Sequence, residues 1–389
     1  MTQQDRCTHY VRGALRVALR VALRVAASLA LVACGGDGII DSTPQPPKGI
    51  VVLDGFIQPG LTLLADSGTT STRINFAPST EFDASDFSLD HDTVLAVASR
   101  AAGDLLYIAD LRTGTMRRLQ MPVRSNPSRA RLLRGSNGQS LIGVALRDSN
   151  AVALVSVRGA NAPSITRLAN VGTCPTDVFQ YDNATWVVDA NANCRVNYAV
   201  QGDVRLIRIP NTGAARDTLV IPGMRGSGAG AIVAGDIAYI SAGGDADFTN
   251  FPYVLIASGR VAKVDLRNRR VLSQKAMPTN SYGAGAKLGG DGFLYVSLYE
   301  NLNTFTNRIV KLRGDDLSFV GGATTSWLSL TGTSGTDVSC GSGVADALGR
   351  LHCLVSGTGS VTSLLVFNPS GREIRRVSAG QGGVDLALF

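Results

Sequence analysis

Beyond residue 33 this 389-residue chain offers few groups for chemistry: two histidines, His91 and His352, four cysteines past Cys34, and scattered aspartates. Three aspartates, Asp177, Asp337 and Asp385, fall at or near the starts of short, small-residue segments that recur along the chain. If those segments are strands around one axis, the carboxylates reach the mouth of a shared channel. Oxygen ligands of that kind suit Ca²⁺ or another hard cation, and no other cofactor is expected. Each histidine stands alone in or beside an expected strand, which fits packing better than ligation. H-E-x-x-H, G-x-S-x-G and P-loop patterns do not occur, and Gly226, Gly228 and Gly230 precede a strand, where small residues relieve crowding.

A second group of candidates lies in three long connections, 189–203, 241–259 and 299–307. They carry Tyr198, Phe248, Phe251, Tyr253, Tyr299 and Phe305 among Arg195, Asp245, Asp247, Asn301 and Asn303. Aromatics beside amides and carboxylates suit capture of a glycan, a peptide or an envelope protein. With no catalytic constellation in view, the leading expectation is a non-catalytic binding or scaffolding module that presents these loops.

The elements that must position either group are strands. The composition is 44% hydrophobic and 17% charged, with 44 glycines, enough apolar material for a core. No stretch holds a helical period; short β-branched and aromatic runs alternate with Gly, Asn and Asp. The runs repeat as units of four strands. The clearest copies begin GAGAIVAGDIAYISA (228–242), GAGAKLGGDGFLYVSL (283–298) and GSGVADALGRLHCLVS (341–356), with weaker ones at 84–99, 130–146 and 175–189. Turn residues such as Asp182-Asn183, Gly235-Asp236 and Asp291-Gly292 tolerate positive φ, as two-residue hairpins require. Six units are complete. GGVDLALF (382–389) reads as a first strand lacking successors, and 49–76 supplies a second, third and fourth. Joining the two ends gives an all-β, seven-bladed propeller of four-stranded antiparallel blades over 49–389, without an open sheet edge.

Residues 1–33 carry arginines at 12, 16, 20 and 24 before an apolar run from Val25 to Ala33, too short to span a bilayer and suited to a signal peptide. Leu31-Val32-Ala33-Cys34 resembles the lipobox of bacterial lipoproteins. The resemblance implies cleavage before Cys34, a diacylglycerol on its thiol as the membrane contact and, with Gly35 following, the outer membrane. Residues 34–48 are polar and Pro-rich, as a tether needs. Arg6, Arg12, Arg16, Arg20 and Arg24 against Asp5 account for +4 of the net +7. The remaining +3 forms no basic stripe, and nucleic acid is not an expected partner.

In an exported chain the four cysteines past Cys34 favour two disulfides. Cys174 with Cys194 and Cys340 with Cys353 each span a proposed hairpin, linking the first and second strands of one blade.

Runs such as FLYVSL and LLYIADLRTG resemble the broad seven-bladed group of YVTN-type surface-layer and quinoprotein-like propellers. That resemblance implies the fold and leaves a rival function: a metal-dependent, lactonase-like hydrolase or a quinoprotein-like enzyme working at the channel mouth through Asp177, Asp337 and Asp385. The acidic and amide ligand set of the lactonases and the tryptophan motifs of the quinoproteins are not evident in the sequence.

Overall fold

The computed structural model describes residues 45–389, apart from 56–57, 67–70, 77–83, 99–103, 136–138, 158–160, 211–215, 227, 305, 322–325 and 357–360. The expected signal peptide, residues 1–33, and the expected lipidation site Cys34 lie outside these residues.

Seven antiparallel blades surround one axis, and no helix occurs among the described residues. The strands nearest the axis are Ala84–Asp90, Pro127–Arg134, Pro175–Tyr181, Gly230–Ala234, Tyr282–Leu288, Ser342–Ala345 and Gly383–Leu388, in blades 1 to 7. Positive φ at His91 in blade 1, Asp182 and Asn183 in blade 3, Gly235 in blade 4 and Gly292 in blade 5 forms the turns out of the inner strands, at residue types that accept it cheaply.

Each blade is covered on both faces by its neighbours, so the middle strands read as continuous apolar runs. GIVVLD (Gly49–Asp54) and ATWVVD (Ala184–Asp189) are buried at every position. The outer strands alternate exposed and half-buried positions, as in TMRRLQ (Thr115–Gln120). Seven apolar clusters fill the seven gaps between blades. One joins Leu95, Leu106 and Ile142 of blades 1 and 2, and another joins Leu53, Phe87 and Tyr107 of blades 7 and 1.

Closure is by strand pairing between the two ends of the ring. Ile50 faces Leu388, Val52 faces Leu386 and Leu53 faces Asp385. Reciprocal bonds of 3.0 Å between Gly49 and Phe389 extend the ladder at one end. A Cβ on Gly49 would stand 2.6 Å from the Phe389 ring, which would have to shift to admit a side chain there.

Two details depart from expectation. Blade 5 has three full strands, Tyr282–Leu288, Leu294–Asn301 and Thr306–Leu312. Among the described residues its fourth is present as isolated bridges from Val310 to Trp327 and Leu312 to Phe319. Both disulfides form as paired, with Cα atoms 5.7 Å apart in each. Cys194, however, lies past the second strand of blade 3, beyond the short strand Ala192–Asn193. Its bridge ties the start of the inner strand to a loop. Cys353 sits on the second strand as expected, opposite Gly343.

Leu386 on the closing strand is 1% exposed. Leu386→Ala is expected to lower unfolding stability in a urea titration by about 2–5 kcal/mol. Leu348→Ala, in a turn at 41% exposure, is expected to change it by less than about 0.5 kcal/mol.

Candidate functional site

The inner strands are short and small-sided, yet they bring a run of charges to the axis. Arg129 of blade 2 donates through Nε to Asp86 of blade 1 at 2.6 Å and through Nη1 to Asp177 of blade 3 at 3.0 Å. Arg131, two residues on and therefore on the same side of the strand, donates to both oxygens of Asp177 at 3.2 and 3.0 Å and to the Ala231 carbonyl of blade 4. Asp177 also accepts from the Val178 and Ala231 amides at 2.8 and 2.9 Å. Glycine at 230 clears the space, since a Cβ there would stand 2.3 Å from Arg129 Nη1. Across the axis, Lys287 of blade 5 donates to Asp385 and the Leu386 carbonyl of blade 7 and to Ser342 Oγ of blade 6, the last at 2.9 Å. Ser342 donates to Asp385 Oδ1 at 2.6 Å.

The Asp177 side chain is fully buried. Burial by itself raises its pKa, but Arg131 and Arg129 outweigh it and hold the group below the ordinary carboxylate value. The opposite balance governs Asp86. Desolvation pushes its pKa up, Arg129 pulls it down, and the charge of Asp385 pushes it up again. The net is a raised pKa on a side chain still 16% exposed. Arg129 engages only Oδ2 of Asp86; Oδ1 takes no hydrogen bond among the described residues.

Asp86, Arg129, Arg131, Lys287 and Asp385 line a cavity of about 810 Å³, a size typical of small-molecule sites. Its other walls include the apolar side chains of Ile232, Val344 and Phe389. It extends toward the turns that leave the inner strands, with His91, Asp92 and Gly290 in its lining, and residues 45, 47 and 48 join them there. Beside it, fully buried His352 shares a 3.1 Å contact with Asp346. Burial lowers the imidazole pKa against the pull of that carboxylate, so the pair is a packed polar contact.

The three carboxylates singled out for a cation do not meet. Asp177 is saturated by two arginines, and Asp385 holds Lys287. Asp337 lies outside the inner strands, half exposed and 2.6 Å from Arg308. Among the described residues no group of three or more His, Cys, Asp or Glu side chains is placed to hold a metal. Arg129, Arg131, Lys287 and Asp86 escaped the sequence reading. The available signal was a cation inside an inner strand otherwise built of small or apolar residues, as in GAGAKLGG (283–290).

The long connections lie at the other end of the strands, and none of their candidates lines the cavity. Phe248 packs edge-on against Tyr253 and Tyr282 at 5.2 and 5.4 Å, and Phe251 against Tyr253 at 5.6 Å. Asn303 clamps the Tyr253 backbone with bonds of 2.7 and 3.0 Å and receives support from Asn301. Tyr198 takes a bond from Asn126 and lies under Arg147. Asp245 pairs with Arg225, and Asp247 caps Thr249. Arg195 is exposed, Tyr299 half-buried opposite Tyr282, and Phe305 lies outside the described residues. Much of this sector orders itself.

Neither the protein-family models nor the curated proteins that were compared match this sequence. Solved structures do match in fold. A periplasmic gluconolactonase from Pseudomonas aeruginosa superposes with a TM-score of 0.59 at 16% identity, covering 88% of this chain and 98% of its own. A Bacteroides fragilis protein provisionally assigned as a 6-phosphogluconolactonase gives 0.59 at 14% identity over 90% and 99%. A Lactobacillus plantarum protein gives 0.58 at 15% over 88% and 100%. The expectation of a non-catalytic binding or scaffolding module is corrected by these comparisons. Propellers of this shape include proteins named as gluconolactonases, and the charged cleft of this chain is its channel, not its loop-rich sector.

Asp177 links blades 2, 3 and 4, and its lowered pKa gives stability that is present above the unfolded carboxylate value and lost as pH falls through the folded one. Asp177→Asn is expected to cost about 3–5 kcal/mol at pH 7 and to flatten the acid limb of a plot of melting temperature against pH.

Proposed function

We propose that this chain hydrolyses sugar-type lactones in its central channel. The observation that carries the reading is the Asp86–Arg129–Arg131 group on the wall of an 810 Å³ cavity, in a fold shared with proteins named as lactonases. Lactone hydrolysis needs a base to activate water, positive charge where the carbonyl oxygen becomes an oxyanion, and a proton for the departing ring oxygen.

Asp86 suits the first and third tasks. Its free Oδ1 takes a proton from water as the water oxygen attacks the lactone carbonyl carbon. The resulting carboxylic acid returns that proton to the ring oxygen when the C–O bond breaks, leaving an open hydroxy acid. Arg129 and Arg131 stabilise the oxyanion from positions held by Asp177, a positioning residue buried behind them. Burial raises the pKa of Asp86, which makes its ionised form a stronger base than an exposed aspartate. Asp177 cannot serve, because its lone pairs are already taken by two guanidinium groups and two amides.

The setting on this reading is the cell envelope, with residues 1–33 directing export and a lipid on Cys34 holding the propeller at the outer membrane. The two disulfides fit an oxidising compartment. Metabolic labelling with a radioactive fatty acid is expected to mark the wild type and not Cys34→Ser; equal labelling removes the lipid anchor from the picture.

With glucono-1,5-lactone as substrate in a pH-stat, Asp86→Asn is expected to lower kcat about 10²–10⁴-fold with the fold retained by circular dichroism. Because the carboxylate is the active form, kcat/KM of the wild type rises as pH climbs through the raised pKa, and the substitution removes that limb. A variant with wild-type rates would overturn the assignment of Asp86.

A further inference from the structure

The charge count of the channel speaks to which lactone it accepts. Four cations line the cavity: Lys48, Arg129, Arg131 and Lys287. Four carboxylates line it too: Asp86, Asp92, Asp346 and Asp385. The deeper cations are individually engaged. Arg129 lies between Asp86 and Asp177, Arg131 is paired with Asp177, and Lys287 spends its donors on Asp385, Ser342 and a carbonyl. Asp346, itself buried, is matched by Arg350 at 2.6 Å.

A phosphate monoester brings a charge of about −1.5 to −2 at pH 7. It is usually met by uncompensated Arg or Lys, or by the N-terminus of a helix. This cavity holds no net positive charge, and no helix occurs among the described residues. Opening one of its ion pairs to admit phosphate would leave a carboxylate beside the incoming anion. Alternating donors and acceptors along an ion-paired wall suit a neutral polyol instead. Hydroxyls can donate to Asp86 and accept from Arg131, while Ile232, Val344 and Phe389 cover the C–H face of the ring.

We infer that the channel selects an uncharged polyhydroxylated lactone and discriminates against its phosphorylated counterpart. This rests on the lactone reading above and narrows it to a substrate class.

The first arm of the test compares kcat/KM for glucono-1,5-lactone and 6-phosphoglucono-1,5-lactone. The expected result is at least a tenfold preference for the neutral substrate, with its kcat/KM nearly flat between 20 and 300 mM salt, because a balanced site exerts little long-range pull. Equal or better turnover of the phosphorylated substrate overturns the inference and leaves the lactone reading standing.

The second arm needs no catalysis: calorimetric titration with D-glucitol and with D-glucitol 6-phosphate. Tighter binding of glucitol supports the selection even if neither lactone is hydrolysed, an outcome that removes the lactone reading alone. Binding of the phosphate ester alone, or of neither probe, overturns the inference. Ile232→Arg, which adds an unmatched cation to the wall, is expected to raise affinity for the phosphorylated probe at least tenfold relative to wild type.

Discussion

The ladder between Gly49–Asp54 and Gly383–Leu388 is the constraint on which the remaining geometry depends. It joins segments more than 300 residues apart, so its formation carries the largest loop-closure cost in the chain. In return it gives Gly49–Asp54 a partner on its second side and completes the seventh apolar gap, where Val51, Leu53 and Leu61 pack against Phe87 and Tyr107. It also sets Asp385 beside Lys287 and Ser342. One wall of the channel therefore exists only when the two ends of the ring have met.

Charge at the axis solves a packing problem and creates a chemical opportunity. Inner strands converge where space is least, and their backbones need small neighbours; Gly230 gives way to Arg129 for that reason. A guanidinium reaching across strands can bind two blades at once, as Arg129 does with Asp86 and Asp177. Taking such groups out of water is costly unless they are paired, and Asp177 shows the fully paired case. Asp86 is less completely satisfied. Its second oxygen is left over, and burial makes that oxygen more basic. The difference between these two carboxylates, one saturated and one not, separates a structural role from the proposed catalytic one within a single network.

The loop-rich sector illustrates the reverse error. An aromatic-rich loop written out in sequence looks like a binding surface, because nothing in its composition says which rings have already found each other. Phe248, Phe251, Tyr253 and Tyr282 form edge-to-face pairs, and Asn303 closes the hairpin from a neighbouring blade. Their energy goes into ordering two long connections. Phe251 at 70% exposure remains a surface ring, but the cluster is anchored from within.

Strand identity, turn positions and the pairing of the cysteines were determined by sequence alone, because each depends on local rules. Period-two or continuous apolar runs select strands, residues that accept positive φ mark the hairpins, and a bridge can join only cysteines that lie close together. The number of blades and the closure followed from counting those units. The channel chemistry was not accessible in this way. Arg129 and Arg131 alternate along their strand like ordinary outward-facing residues, and their partners Asp86 and Asp177 sit 43 to 48 positions away. Only the closed ring decides that these side chains point at one axis, which of them are saturated, and toward which end of the strands the cavity extends. Those properties depend on distances between blades, and no sequence period encodes them.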